Sequence, residues 1–269
     1  MDVRENLKLL DDLYTQGKLK QSEEYLSLWL EAALNSHNYA AALTFYNETE
    51  GLYRTTGRAV QAAEISDKAL QLIETMGLNG TIHHATTLLN GATANRWANN
   101  LEKALDMYQQ AADIYNKQTQ KNSYLMASLY NNISHIYQQQ NNHRKALKAL
   151  EAALAIVMET TDNAAEIATT KVTMALSYMA LNDMHAAKMC LDDASQYYNS
   201  TEGQNDGHRG SFLSALGEYF WHSKEYDNAI SAYEKAIEFT YNRFGDNDGC
   251  RIIRRNLEIV RNEMLTKKQ

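Results

Sequence analysis

Between residues 129 and 156 the apolar and small side chains fall at Ile133, Ile136 and Tyr137, then at Ala146, Leu147, Leu150, Ala153 and Leu154. Steps of three and four put each group on one face of a helix. The polar run 138–144 interrupts the pattern, so the stretch predicts two helices joined by a turn. Neither helix has a way to bury its stripe alone, and the pair must stack on another like it.

The same pattern returns along the chain. The small residue that opens each second helix stands at Ala62, Ala104, Ala146, Ala187 and Ala229, at separations of 42, 42, 41 and 42 residues. Nine residues before each marker is a large side chain (Tyr53, Tyr137, Tyr178, Phe220), with Asn95 the exception. Seven residues after it is a second alanine (Ala69, Ala111, Ala153, Ala194, Ala236). An alanine opposite a large residue lets two helix backbones approach while the ring fills the gap, so the spacing is a packing rule.

Read in order, the chain predicts a first hairpin over 2–16 and 19–35, looser than the rest, with Ser22 and Trp29 in the alanine places. Hairpins follow over 39–76, then from Thr81 through the turn at Asn99 and Asn100, over the central stretch, over 164–198 and over 211–241. A Gly-, Asn- and Asp-rich loop at 201–210 is the expected flexible joint. A lone helix over 250–265 closes the chain, and its Arg251, Arg254, Arg255 and Arg261 read either as a solvated outer face or as a basic patch for a partner. The expected organisation is a degenerate hairpin acting as a cap (1–36), five repeats of about 42 residues (37–250) and a capping helix (251–269).

These residues resemble the tetratricopeptide repeat family. Its succession of a small residue, an aromatic, Ala, a bulky residue and Ala stands here as Ser134, Tyr137, Ala146, Leu150, Ala153 and as Gly217, Phe220, Ala229, Tyr233, Ala236. The family period is about 34 residues; the longer period here is similar to that of kinesin light chain and of many bacterial arrays. The resemblance implies an all-α fold, a right-handed α-solenoid of antiparallel helix pairs. The proline that often closes a repeat is missing, because the chain contains none.

Composition narrows the function. The net charge of −7 works against non-specific nucleic-acid binding, which needs basic surface. A DNA-binding reading of the first hairpin meets the same objection in Glu5, Asp11, Asp12, Glu23 and Glu24. No apolar run approaches the eighteen or so residues of a membrane span, and the N-terminal stretch has no signal-peptide pattern. Cys190 and Cys250 have no spacing for metal or redox work, which fits a reducing, cytoplasmic setting. Neither a phosphate loop nor an HExxH spacing occurs among the eight histidines, so the chain reads as non-catalytic, without cofactor or metal.

Binding is the remaining function. By the resemblance, the first helix of each repeat lines an inner groove. Its inward places fall on Asn47, Glu48 and Arg54; on Asn90, Arg96 and Trp97; on Asn131, Asn132, His135 and Gln138; on Thr173 and Met179; and on Glu218, Trp221 and His222. An amide both donates and accepts, so a row of them suits an extended peptide backbone, with the indoles as apolar anchors. The plainer reading leaves the asparagines solvated and packs Trp97 and Trp221 between repeats. With only Arg54 and Arg96 basic, a clamp for acidic chaperone tails is disfavoured. The expectation is a scaffold binding a protein or an extended peptide, with no nucleic acid and no membrane. Its rival is a sensor of a small signalling peptide, resembling the quorum-sensing receptors of Gram-positive bacteria. Those receptors carry an output domain ahead of the repeats, where this sequence has one short hairpin.

Overall fold

The computed structural model describes residues 2–117, 123–159 and 163–267. Its secondary structure is helical throughout, and the chain divides into two compact units, Met1–Lys121 and Asn122–Gln269.

The first unit contains α1 (Val3–Thr15), α2 (Leu19–Asn35), α3 (Tyr39–Thr55), α4 (Ala59–Thr75), α5 (Ile82–Trp97) and α6 (Leu101–Lys117). Consecutive helices pack on each other, and α3 also touches α5. Leu10, Leu26, Trp29, Phe45, Leu52 and Ile73 share one core that ties the first two hairpins together. Ser22 and Trp29, the atypical residues of the first hairpin, are both buried in the marker places.

The second unit contains α7 (Ser123–Gln139), α8 (His143–Met158), α9 (Ala164–Ala180), α10 (Met184–Tyr198), a 3-10 turn (Gly203–Asn205), α11 (Arg209–His222), α12 (Tyr226–Phe244) and α13 (Asp248–Lys267). Leu150, Val172, Leu191, Tyr198 and Phe212 run a single core through three successive hairpins. Cys190 is part of that core, as a small apolar residue would be.

The repeat spacing has a local cause. In each hairpin the amide four residues before the marker bonds back to the carbonyl of the large residue: Arg58 to Tyr53, Asn100 to Asn95, Asn142 to Tyr137, Asp183 to Tyr178 and Glu225 to Phe220, at 2.7 to 2.9 Å. This is the six-to-one bond of a helix ending in a left-handed residue. Gly57, Asn99, Asn141, Asn182 and Lys224 occupy that position, all with φ between 55° and 77°. The four-residue step to the marker alanine is then the first turn of the next helix, whose opening bond it makes. Asn95, the exception to the aromatic rule, is fully buried; it donates to the Gly91 carbonyl at 2.8 Å and accepts from Asn100 at 3.1 Å. An amide that braces the turn replaces a ring that would fill it.

Two expectations need correction. The 201–210 loop is a bonded corner rather than a joint. Asp206 accepts from the Tyr197 hydroxyl at 2.9 Å and from the His208 amide at 2.7 Å, and Gly203 is buried against the Tyr197 carbonyl. Nor is the outer face of α13 wholly polar, since Ile252, Ile259 and Leu265 are exposed. The arginines do read as a solvated face: Arg251 pairs with Asp248, Arg254 with Asp246, and Arg261 with Glu234 at 2.6 Å. Such exposed pairs add little to stability.

Candidate peptide-binding surface

The inward places divide by unit, and the two sets differ chemically. In the second unit the amides are already engaged. Asn131 of α7 donates to Thr170 Oγ1 of α9 at 3.0 Å, and Gln138 donates to the Thr173 carbonyl and to Ser177 Oγ at 3.0 and 2.8 Å. His135 Nδ1 and Gln138 Oε1 lie 3.1 Å apart, so the histidine helps orient that amide. Asn132 bonds within its own helix, to the Ser128 carbonyl. Neighbouring first helices are stitched by polar side chains here, which spares buried Thr170 and Ser177 an unpaired hydroxyl. One acceptor is left over, the buried Asn131 Oδ1.

Further along this unit, Thr173 and Met179 are buried in α9. Glu218 of α11 is held in surroundings whose burial pushes its carboxyl above the ordinary range. Trp221 is half-buried, and its indole N–H donates to Glu263 of α13 at 2.9 Å, so that helix takes its polar edge. His222 is exposed beside it, ring centroids 5.4 Å apart.

In the first unit the equivalent amides are not engaged in this way. Among the described residues no hydrogen bond accounts for the side-chain amides of Asn47 on α3 or Asn90 on α5, both half-buried. Glu48 faces Asp11 and Tyr14 of α1; burial first, and the Asp11 charge second, raise its carboxyl pKa. Trp97 is 53% exposed and lies under the Arg96 guanidinium at 4.9 Å. Burial lowers the Arg96 pKa, with the Tyr108 phenol acting the other way, and its Nε has no hydrogen-bond partner.

One residue of this surface escaped the sequence reading. Glu50 is 2% exposed on α3, with Arg54 Nε 3.7 Å from its Oε1 and no hydrogen bond to that oxygen. Burial pushes its carboxyl up to about 7, against the opposing pull of Arg54. The signal was present: twelve residues before the other markers stand Ala92, Ser134, Ala175 and Gly217, all small.

Among the described residues no group of three His, Cys, Asp or Glu is placed to hold a metal ion, and no helix is long and apolar enough to cross a membrane.

Known proteins place the architecture. The complex of NprR with its cognate peptide NprX is similar in fold over 93% of this chain and 71% of that one, at a TM-score of 0.71 and 16% identity. The apo form of RapI covers 99% and is itself covered over 100%, at a TM-score of 0.67 and 11% identity. A putative kinesin light chain of Podosopora anserina, built of nearly identical TPR-like repeats, covers 74% of this chain and 95% of its own, at 0.57 and 15%. At such identities the likeness is one of fold. No curated protein sequence matches the chain. The sequence profile of the tetratricopeptide repeat matches residues 83–159 and 166–242, more than half of the length. With the alanine-marked hairpins and their left-handed turns, that match makes the chain a member of the tetratricopeptide repeat family.

Proposed function

We propose that this is a non-catalytic interaction module that binds an extended segment of a protein partner along the first helices of its repeats. The observation that carries it is the pair Asn47 and Asn90, half-buried amides on adjacent first helices with no hydrogen bond of their own among the described residues. Amides that no protein group engages stay available to a ligand, and a peptide backbone supplies a donor and an acceptor per residue. Arg54, Arg96 and Trp97 flank the amides with charge and an apolar ring. The second unit carries its own set at the corresponding repeat positions, Asn131 Oδ1, Asn132, His135, Gln138, Glu218, Trp221 and His222, where a ligand competes with existing bonds. The two free thiols, both buried, fit a reducing cytoplasmic setting.

The test is a pull-down from lysate with wild type against Asn47→Ala/Asn90→Ala, with circular dichroism and melting as controls. Loss of a partner at unchanged helicity and melting point supports the reading. Identical partners from both baits remove the amides from the binding surface.

A second reading has its own support. NprR was captured with a peptide, and its likeness in fold extends over nearly all of this chain. A ligand-responsive peptide sensor would change its dimensions on binding. Small-angle scattering with and without a panel of short peptides separates the two, because a passive scaffold keeps its radius of gyration.

A further inference from the structure

The dipeptide Asn-Gly occurs twice, as Asn79–Gly80 and as Asn90–Gly91, and the fold treats the two differently. Asn90 and Gly91 lie within α5, where a Cβ on Gly91 would stand 2.6 Å from Met107 Cε, so helix and packing both hold that backbone. Asn79 and Gly80 are exposed in the link between α4 and α5. The Thr81 N–H and hydroxyl both donate to the Leu78 carbonyl, at 3.1 and 2.6 Å, and close a turn with this dipeptide at its centre. Gly80 takes φ 76°, a left-handed backbone that suits a residue without a side chain, and a Cβ on it would meet nothing within 4 Å.

What sets this turn apart is where the Gly80 N–H goes. The left-handed glycines Gly17, Gly57 and Gly77 donate to the carbonyls of Tyr14, Arg54 and Glu74. Gly80 donates instead to Nδ1 of His84, at 3.1 Å. Thr81, the N-cap of α5, fixes the imidazole over the link, since its Oγ1 accepts from the His84 amide at 3.4 Å. Because the Gly80 amide donates, Nδ1 is the unprotonated ring nitrogen and Nε2 carries the hydrogen. Burial lowers the His84 pKa, which favours that neutral ring. A neutral imidazole does not ionise a resting amide; it takes the proton as the nitrogen bonds to carbon, which is general base catalysis.

We propose that Asn79 is a self-modification site, at which His84 acts as the base that closes a succinimide ring between the Asn79 side chain and the Gly80 nitrogen. The Gly80 nitrogen attacks Cγ of Asn79 as its proton passes to His84 Nδ1. The tetrahedral carbon then expels Nδ2, which takes that proton and leaves as ammonia. One C–N bond replaces another, so no oxidant or reductant is needed. Water opens the ring: addition at Cγ gives aspartate, and addition at the main-chain carbonyl gives isoaspartate. Among the described residues no hydrogen bond holds the Asn79 side-chain amide, so Cγ is free to turn toward the nitrogen. Aspartate places a carboxylate ahead of the N-terminus of α5, where the helix dipole favours it. Isoaspartate adds a methylene to the main chain inside the turn that joins two hairpins. Either product alters that joint as the chain ages, whatever the array binds.

The test incubates the full folded chain at neutral pH in water labelled with heavy oxygen. Fragment-ion mass spectrometry then follows the tryptic peptide 69–96, which carries both dipeptides. Asn79 should convert, with a solvent oxygen in each product, while Asn90 stays an amide. His84→Gln keeps a hydrogen-bond acceptor but removes the base, and it should slow the conversion by about tenfold or more, as should His84→Ala. His83→Gln, at the exposed neighbour, should leave the rate unchanged. Circular dichroism verifies that each variant is folded. No conversion at Asn79, or equal conversion at Asn79 and Asn90, overturns the site. An unchanged rate in either folded His84 variant, or an equal loss in His83→Gln, overturns the part given to His84.

Discussion

Gly217 of α11 lies against the ring of Tyr233 of α12 so closely that a Cβ on it would stand 2.8 Å from Cδ1. Tyr233 is fully buried and has nowhere to retreat. Gly217→Ala should therefore cost about 1 to 3 kcal/mol, although alanine is the better helix former by about 1 kcal/mol. In a Tyr233→Leu background the pair becomes that of Ala175 and Leu191, and the same substitution should turn neutral or stabilising. Urea melts of the four proteins check this double-mutant cycle. Equal penalties in both backgrounds would show that the ring is not the obstacle.

Glu50 makes stability depend on pH. Its folded pKa, raised by burial to about 7, exceeds that of an exposed carboxyl. Between the two values the folded state binds more protons than the unfolded one, so stability falls as pH rises through that window and levels off above it. Ionising the buried group costs on the order of a few kcal/mol at alkaline pH. Glu50→Gln should flatten the melting temperature across about pH 5 to 8 and raise it at the upper end. A wild-type melting point that does not decline over that range contradicts the burial of this carboxyl.

The marker alanines set how near the paired helices come. Ala146 is fully buried, like Ala62, Ala104, Ala187 and Ala229. Ala146→Leu should cost roughly 1 to 3 kcal/mol through overpacking. An unchanged melting curve would mean that α8 does not approach α7 by this face.

The corner before α11 can be probed at Gly203, where a Cβ would stand 2.1 Å from the Tyr197 carbonyl oxygen. Backbone blocks the position, not a movable side chain. Gly203→Ala should lose about 2 kcal/mol or more, and hydrogen exchange should accelerate at residues 203–209 in the variant. Fast exchange there in the wild type would restore the flexible joint that the composition suggested.

The helices, their pairing and the buried alanines were legible because each depends on local spacing. A marker alanine, its aromatic nine residues earlier and the turn between them are one continuous set of backbone bonds. What Asn131 and Gln138 do was not legible, since their partners Thr170 and Ser177 lie 39 residues away on a different helix. A polar residue on an inner face looks alike in sequence whether it meets a ligand or a neighbouring helix. Trp221 escaped for the same reason, its partner being Glu263. Glu50 stands out in the sequence only against Ala92, Ser134, Ala175 and Gly217 in the same place of the other repeats, and its burial follows from that place and not from its own residue type. The loop at 201–210 was misread from composition: the glycines mark tight approach at Gly203, not freedom.

The turns carry one more consequence. Each hairpin reverses direction through a single residue of left-handed backbone, glycine or an asparagine in most cases, and the chain contains no proline. Torsional rotation at such a residue takes well under a microsecond, whereas an X–Pro bond isomerises over tens of seconds. Every hairpin also closes between neighbours in sequence, which favours rapid formation. Refolding from denaturant should be complete without the slow kinetic phase that prolyl isomerases accelerate, and each repeat can form as it leaves the ribosome, before its successor exists.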